Sequence, residues 1–189
     1  DDIADTLRPR LDAQKADVDR VHVLSFVGKA DADASQAWGR PFSVVSDLGL
    51  LIKTIEKYPD TKLIVLDPIA DLLGGNVNSN NQTEVRSALA PLVKTAAERN
   101  IAILLIAHKN KNEQVSDVYR TSGSMAFVAA PRSVFQVKIS KDDPRLRLFL
   151  PVKLNHANDR VGLAYHLELV PPENSVVRVD WDPEPVPYE

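Results

Sequence analysis

Lys62-Leu63-Ile64-Val65-Leu66-Asp67-Pro68 is the stretch whose reading decides the fold. Leu63 to Leu66 are four consecutive aliphatic residues with no apolar/polar alternation, which predicts a parallel strand covered by helices on both faces. Asp67 then falls at the carboxyl end of that strand, the edge at which open α/β sheets hold their ligands. A carboxylate there needs a cation or hydrogen-bond donors to offset its desolvation. The plain alternative is an aspartate that caps the following turn. Residues 101–107 repeat the pattern, a fully apolar run that ends in His108 and Lys109. Between the two runs, Val85, Leu89, Leu92, Val93 and Ala96 share one helical face over residues 82–100, with Asn100 as the stop. Strand, helix and strand in this order predict a parallel pair joined by a right-handed crossover, with Asp67 and His108 facing one crevice.

The rest of the 189 residues surround this unit. Ile3, Leu7 and Leu11 recur every four residues and predict a helix over 3–15, in which Pro9 delays the first turn or kinks it. A polar turn at 17–20 leads to a strand over 21–26, then to an aperiodic loop over 28–40. Val45, Leu48, Leu51, Ile52 and Ile55 mark a second amphipathic helix over 42–58. Residues 71–82 and 110–119 read as polar surface loops, the first with Gly74 and Gly75. Small residues after Ser122-Gly123-Ser124 predict a short helix within 120–132, entered through serine caps. Four β-rich runs, 134–139, 146–154, 163–170 and 176–181, predict an antiparallel meander that extends the sheet. The expected class is α/β: a mostly parallel twisted sheet flanked by helices, extended by antiparallel C-terminal strands. It forms one domain over 1–182, followed by an extended tail over 183–189 with three prolines.

Composition narrows the function classes. Hydrophobic residues make up 44% and charged residues 26%, and the formal net charge is −3. That balance argues against coating nucleic acid through bulk charge, though not against a local basic lining. Without cysteine there is neither a disulfide framework nor a thiolate metal site. No apolar run has membrane-spanning length and no signal-peptide pattern is present, so a cytoplasmic protein is expected. The single methionine is Met125, so residue 1 is not an initiator and a piece of a longer protein is expected.

Asp67 and His108 end the apolar strands, Arg132 stands just before a strand, and Lys153 and Asn155 close the long β run. An acid, a histidine and cations at strand ends suit a nucleoside triphosphate with its metal. The ordered set of residues 1–11, Val21-His22-Val23, Leu66-Asp67-Pro68, Ile106-Ala107-His108 and Ser122-Gly123-Ser124 leading to Pro131-Arg132 resembles the RecA-like ATPases of the plasmid RepA group of replicative helicases. The likeness spans residues 1–155. It implies ATP and Mg²⁺ as ligands, with Asp67 as the Walker B acid on the metal and His108 as the sensor of the γ-phosphate. Arg132 would be an arginine finger reaching the neighbouring subunit of a hexamer, and Lys153 and Asn155 would lie near the same phosphate. Lys109 and Lys111, in the loop after the second strand, would touch single-stranded DNA. The implied parent is a helicase or primase-helicase of plasmid, phage or mobile-element replication.

The departure from that pattern is large. A phosphate-binding loop needs G-x-x-x-x-G-K-[ST], and the sequence contains none. Gly28-Lys29 is followed by Ala30 and lacks the upstream glycine, so Lys29 reads as a loop lysine. The chain alone is therefore expected to hydrolyse little ATP, whatever the activity of its parent. Two other readings compete: a RecA-like ATPase of recombination or regulation, and a non-catalytic assembly module in which Asp67 and His108 are structural.

Overall fold

The computed structural model describes residues 3–24, 26–27, 39–108, 126–157, 161–171 and 176–187. The chain divides into two compact units, Leu24–Pro131 and a second made of Asp1–Val23 with Arg132–Glu189. In chain order the helices are α1 (Arg8–Ala13), α2 (Leu48–Lys57), α3 (Ile69–Leu72), α4 (Gln82–Arg99) and α5 (Ala126–Ala129). The strands are β1 (Phe26–Val27), β2 (Arg40–Pro41), β3 (Leu63–Leu66), β4 (Ala102–Leu105), β5 (Ser133–Ile139), β6 (Leu146–Leu154), β7 (Val161–Val170), β8 (Val176–Trp181) and β9 (Val186–Pro187).

The Leu24–Pro131 unit is built on the predicted strand–helix–strand. β3 and β4 pair in parallel, Leu63 opposite Ala102 through Leu66 opposite Leu105. α4, the crossover, is well signalled at both ends. Asn81 Oδ1 accepts hydrogen bonds from the Thr83 and Glu84 N–H groups at 3.0 and 3.3 Å, and its Nδ2 donates to Glu84 Oε1 at 2.8 Å. This reciprocal pairing satisfies amides that the first turn leaves without partners. At the far end Asn100 takes the left-handed conformation, φ 54° and ψ 47°, which asparagine tolerates better than most residues. The core gathers Leu51 and Ile55 of α2, Val85, Leu89 and Leu92 of α4, Leu66 of β3 and Ile69 of α3.

Several expectations are corrected. The parallel pair is not covered on both faces: Leu63 and Val65 are 53% and 50% exposed and Leu104 is 46% exposed, while Leu66 is buried. The second helix begins at Leu48, not at residue 42, because Phe42, Ser43 and Val44 are buried and fastened elsewhere. The Val44 N–H donates to the Leu72 carbonyl at 2.7 Å, so this segment is held to the end of α3. Residues 21–24 form no strand; among the described residues here, Phe26 and Val27 pair antiparallel to β2. The helix expected over 3–15 is a π-helical turn, Ile3–Leu7, that runs into α1 with Pro9 in its first turn.

The second unit is an antiparallel sheet in the order β5-β6-β7-β8, separate from the parallel pair and not an extension of it. β6 and β8 keep the predicted bounds, and β5 and β7 start one and two residues early. A bulge interrupts β5–β6 between Val134 and Phe135. Within the tail, Val186 and Pro187 pair with Gly162 and Val161 of β7. Gly162 lets β7 lie close against β6, since a Cβ there would stand 2.6 Å from Leu150 Cδ2. α1 lies against β8.

Candidate functional site

The ends of β3 and β4 lie side by side because the strands are parallel and in register to Leu66 and Leu105. Past that register the backbone stays tied. The Ile106 N–H donates to the Leu66 carbonyl and the Ile69 N–H donates to the Ile106 carbonyl, each at 2.9 Å. Asp67 sits between the two bonded residues of its segment, and the chain turns through a cis Asp67–Pro68 peptide into α3. His108 follows Ile106 by two residues. The predicted acid and histidine thus share the carboxyl edge of one parallel pair, and both are exposed. The apolar lengths of the two strands alone bring these residues to that edge.

Arg132, Lys153 and Asn155 belong to the other unit, where they come together. Arg132 immediately precedes β5, and its carbonyl accepts a hydrogen bond from the Asn155 N–H at 3.0 Å. In the ladder, Ser133 is opposite Leu154 and Val134 is opposite Lys153. All three therefore occupy one end of the β5–β6 pair, with the Arg132 and Asn155 side chains exposed and Lys153 half-buried. Lys109 and Lys111 lie outside the described residues, as does the Ser122-Gly123-Ser124 segment.

A polar cluster that the sequence reading missed lies beside α3. Asp47 is 7% exposed, and Arg40 grips its carboxylate with Nη1 to Oδ2 and Nη2 to Oδ1, both 2.6 Å. The Ser43 N–H donates to Oδ2 at 2.8 Å. The arginine hydrogen bonds, assisted by that amide, hold the Asp47 carboxyl below the usual carboxylate range against the opposing effect of burial. Ser43 Oγ donates to the Leu73 carbonyl at 3.4 Å, and Gly74 beside it has φ +94°. The available signal was Asp47 just ahead of Leu48, a helix-start residue one position before the periodic run. It does not cap α2; it turns back toward Ser43 and Arg40. This cluster positions the segment that follows Asp67 and is structural.

An open depression lined by Pro144, Arg145, Arg147, His166, Leu167 and Glu168 belongs to the antiparallel unit and contains none of the strand-end residues. Its charges are mixed, so it selects no ligand class.

Residues 1–114 match the AAA domain family, and the chain belongs to that family of ATPase-type domains. The match covers the parallel pair, α4 and both Asp67 and His108. Among curated proteins, none matches the chain. Membership implies nucleotide binding, typically with Mg²⁺. The donor chemistry at the β3 end fits the metal: Asp67 offers a hard carboxylate oxygen. Among the described residues no three His, Asp or Glu side chains cluster as a self-sufficient metal cage. One carboxylate completed by water and substrate phosphate oxygens is a usual arrangement for Mg²⁺. Among the described residues no helix is long and apolar enough to cross a membrane.

Proposed function

We propose that the chain is part of an ATP-hydrolysing RecA-like domain of a DNA-replication motor, in which Asp67 holds Mg²⁺ and His108 senses the γ-phosphate. The observation that carries this reading is the common carboxyl edge of β3 and β4, with Asp67 and His108 on strand ends joined by two backbone hydrogen bonds. Asp67 would hold Mg²⁺, which would supply charge neutralisation at the phosphates of a bound nucleotide. The work of this chain is to fix one acid and one imidazole at a shared edge. Arg132 and Lys153 supply phosphate-facing cations, and Asn155 at the same end of β5–β6 a neutral amide donor, across a subunit boundary of a hexamer. A guanidinium suits that task because it stays charged and presents a planar set of donors. Lys109 and Lys111 contact the phosphates of single-stranded DNA.

The absence of G-x-x-x-x-G-K-[ST] from the sequence favours a second reading of the isolated chain, a module that binds nucleotide weakly and turns none over. Both readings are tested by titrating the 189-residue chain with ATP, with and without Mg²⁺, by calorimetry. Metal-dependent binding that disappears in Asp67→Asn and weakens in His108→Ala is expected, with no phosphate release. Metal-dependent binding unchanged in Asp67→Asn would remove Asp67 from the site. Arg132→Ala should leave this binding intact, because its partner nucleotide lies on another subunit. In any form of the protein that turns ATP over, the same substitution should lower turnover by about 10³ to 10⁵.

A further inference from the structure

Strand pairing and alternation assign every side chain of the antiparallel sheet to one of two faces. One face carries Val137, Phe149 and Leu163 in a row, then Ile139, Arg147, Tyr165 and Trp181, then Leu167 with Val179 and Leu169 with Val177. Phe135, opposite Pro151, completes it. These residues are apolar or aromatic apart from Arg147, whose Nη1 donates to the Pro144 carbonyl at 2.7 Å and so turns toward the β5–β6 turn. The opposite face places Lys138, His166, Asp180, Glu168 and Arg178 among its members. That face also carries Leu146, Leu148, Leu150 and Ala164, and Leu150 and Ala164 are buried, so burial lies on this second side while the first apolar face stands open. Ile139 and Leu169 are both 59% exposed, Trp181 is 50% exposed and Phe135 43%.

The aromatic rings form a line across the strands. Phe135 stacks on Phe149 at 4.6 Å, Phe149 meets Trp181 edge-on at 6.1 Å, and Tyr165 lies 4.9 Å from Trp181. The rings are thus packed on one another in a continuous surface. Seven of these side chains, two of them aromatic, are 43–59% exposed and correspond to roughly 700 Å² of accessible surface, close to the 800 Å² that one partner gives to a standard interface. Contiguous apolar patches of this size mark interaction sites.

We infer that this face is a self-association surface, on which a second copy of the chain packs sheet on sheet about a two-fold axis. Charge decides between occupants. A single-stranded nucleic acid needs cations along its path, and these rows offer one guanidinium that is already engaged. A face whose one charge, on Arg147, is turned toward the Pro144 carbonyl can meet a second copy of itself with no ion pair to match, and an isologous contact requires that self-complementarity. Two such sheets stack about 10 Å apart with strands within about 30°. This inference does not depend on the nucleotide reading.

The test is sedimentation velocity on the 189-residue chain over micromolar to submillimolar concentration. A concentration-dependent dimer is expected, weakened at least tenfold by Ile139→Lys and by Leu169→Lys and unaffected by Asp180→Lys on the opposite face. Both apolar positions are more than half exposed, so a lysine reaches water in the monomer. A readout that leaves the apolar face unsubstituted uses Trp38→Phe, which leaves Trp181 as the only tryptophan. Acrylamide quenching of Trp181 should fall as the dimer forms. A monomer throughout the range, a dimer indifferent to both lysines, or a Trp181 shielded equally at all concentrations would each overturn the assignment.

Discussion

Arg40 and Asp47 meet through two parallel hydrogen bonds of 2.6 Å, with the carboxylate 7% exposed and also bound by the Ser43 N–H. The pair closes the 40–47 segment onto itself just where that segment is fastened to Leu72 and Leu73. Because the Asp47 carboxyl is held below its ordinary range, chiefly by Arg40, the unfolded chain binds its proton more readily than the folded one. The stabilisation is complete above the unfolded value, about pH 4, and is lost as pH falls through the lower folded value. Denaturant melts at pH 3 to 7 should show a gap between wild type and Asp47→Asn that narrows only at the acid end. Asp47→Ala, which also strands the Ser43 amide, should cost about 1–3 kcal/mol at pH 7.

Gly74 and Gly75 are adjacent and should respond oppositely to alanine. At Gly74 φ is +94° and a Cβ would stand 2.7 Å from Ser43 Oγ, whereas at Gly75 nothing lies within 4 Å. Gly74→Ala should destabilise by more than about 1 kcal/mol, and Gly75→Ala should fall between neutral and a gain of a few tenths to about 1 kcal/mol. Thermal melts of the two variants side by side check both.

Asn81→Ala removes the acceptor for the Thr83 and Glu84 amides at the start of α4. A loss of about 0.5–2 kcal/mol is expected, with Asn81→Asp recovering only part of it, because a carboxylate accepts the same bonds near the positive end of the helix but loses the donation to Glu84 Oε1 and meets that carboxylate instead. Chemical denaturation of the three proteins measures this.

For the DNA reading, Lys109→Ala with Lys111→Ala should weaken single-stranded DNA binding by the protein equally for different sequences. The slope of log affinity against log salt should become shallower by about 1.4, at roughly 0.7 per neutralised phosphate. Fluorescence anisotropy at three salt concentrations tests it, and an unchanged slope would remove both lysines from the interface.

The parallel pair, its crossover helix and the shared edge of Asp67 and His108 were legible because unbroken apolar runs and helical periodicity are local signals. The bounds of α4 were equally open, since Asn81 and Asn100 carry start and stop chemistry at its two ends. The start of α2 was not. Val45 fits the helical period, yet it is 52% exposed in a turn, and what holds that turn is Arg40 and Leu72, contacts invisible to periodicity. Coverage of a sheet face is likewise a tertiary property. Leu63-Ile64-Val65-Leu66 reads as buried on both sides, but only Ile64 and Leu66 turn toward the core. Arg132, Lys153 and Asn155 each stood out in the sequence; their meeting at one end of β5–β6 depends on register and the bulge, which side-chain alternation does not reveal.

The bond from the Ile69 amide to the Ile106 carbonyl has a mechanical consequence. With the Ile106 amide bound to Leu66, the segments carrying Asp67 and His108 are laced in a zigzag, so neither can be displaced outward while the other stays at rest. Amide exchange should register this as one opening event, with the Ile69 and Ile106 protons released together and at the same free-energy cost. A pull on the acid is then felt at the imidazole through main chain alone, with no side chain relaying it.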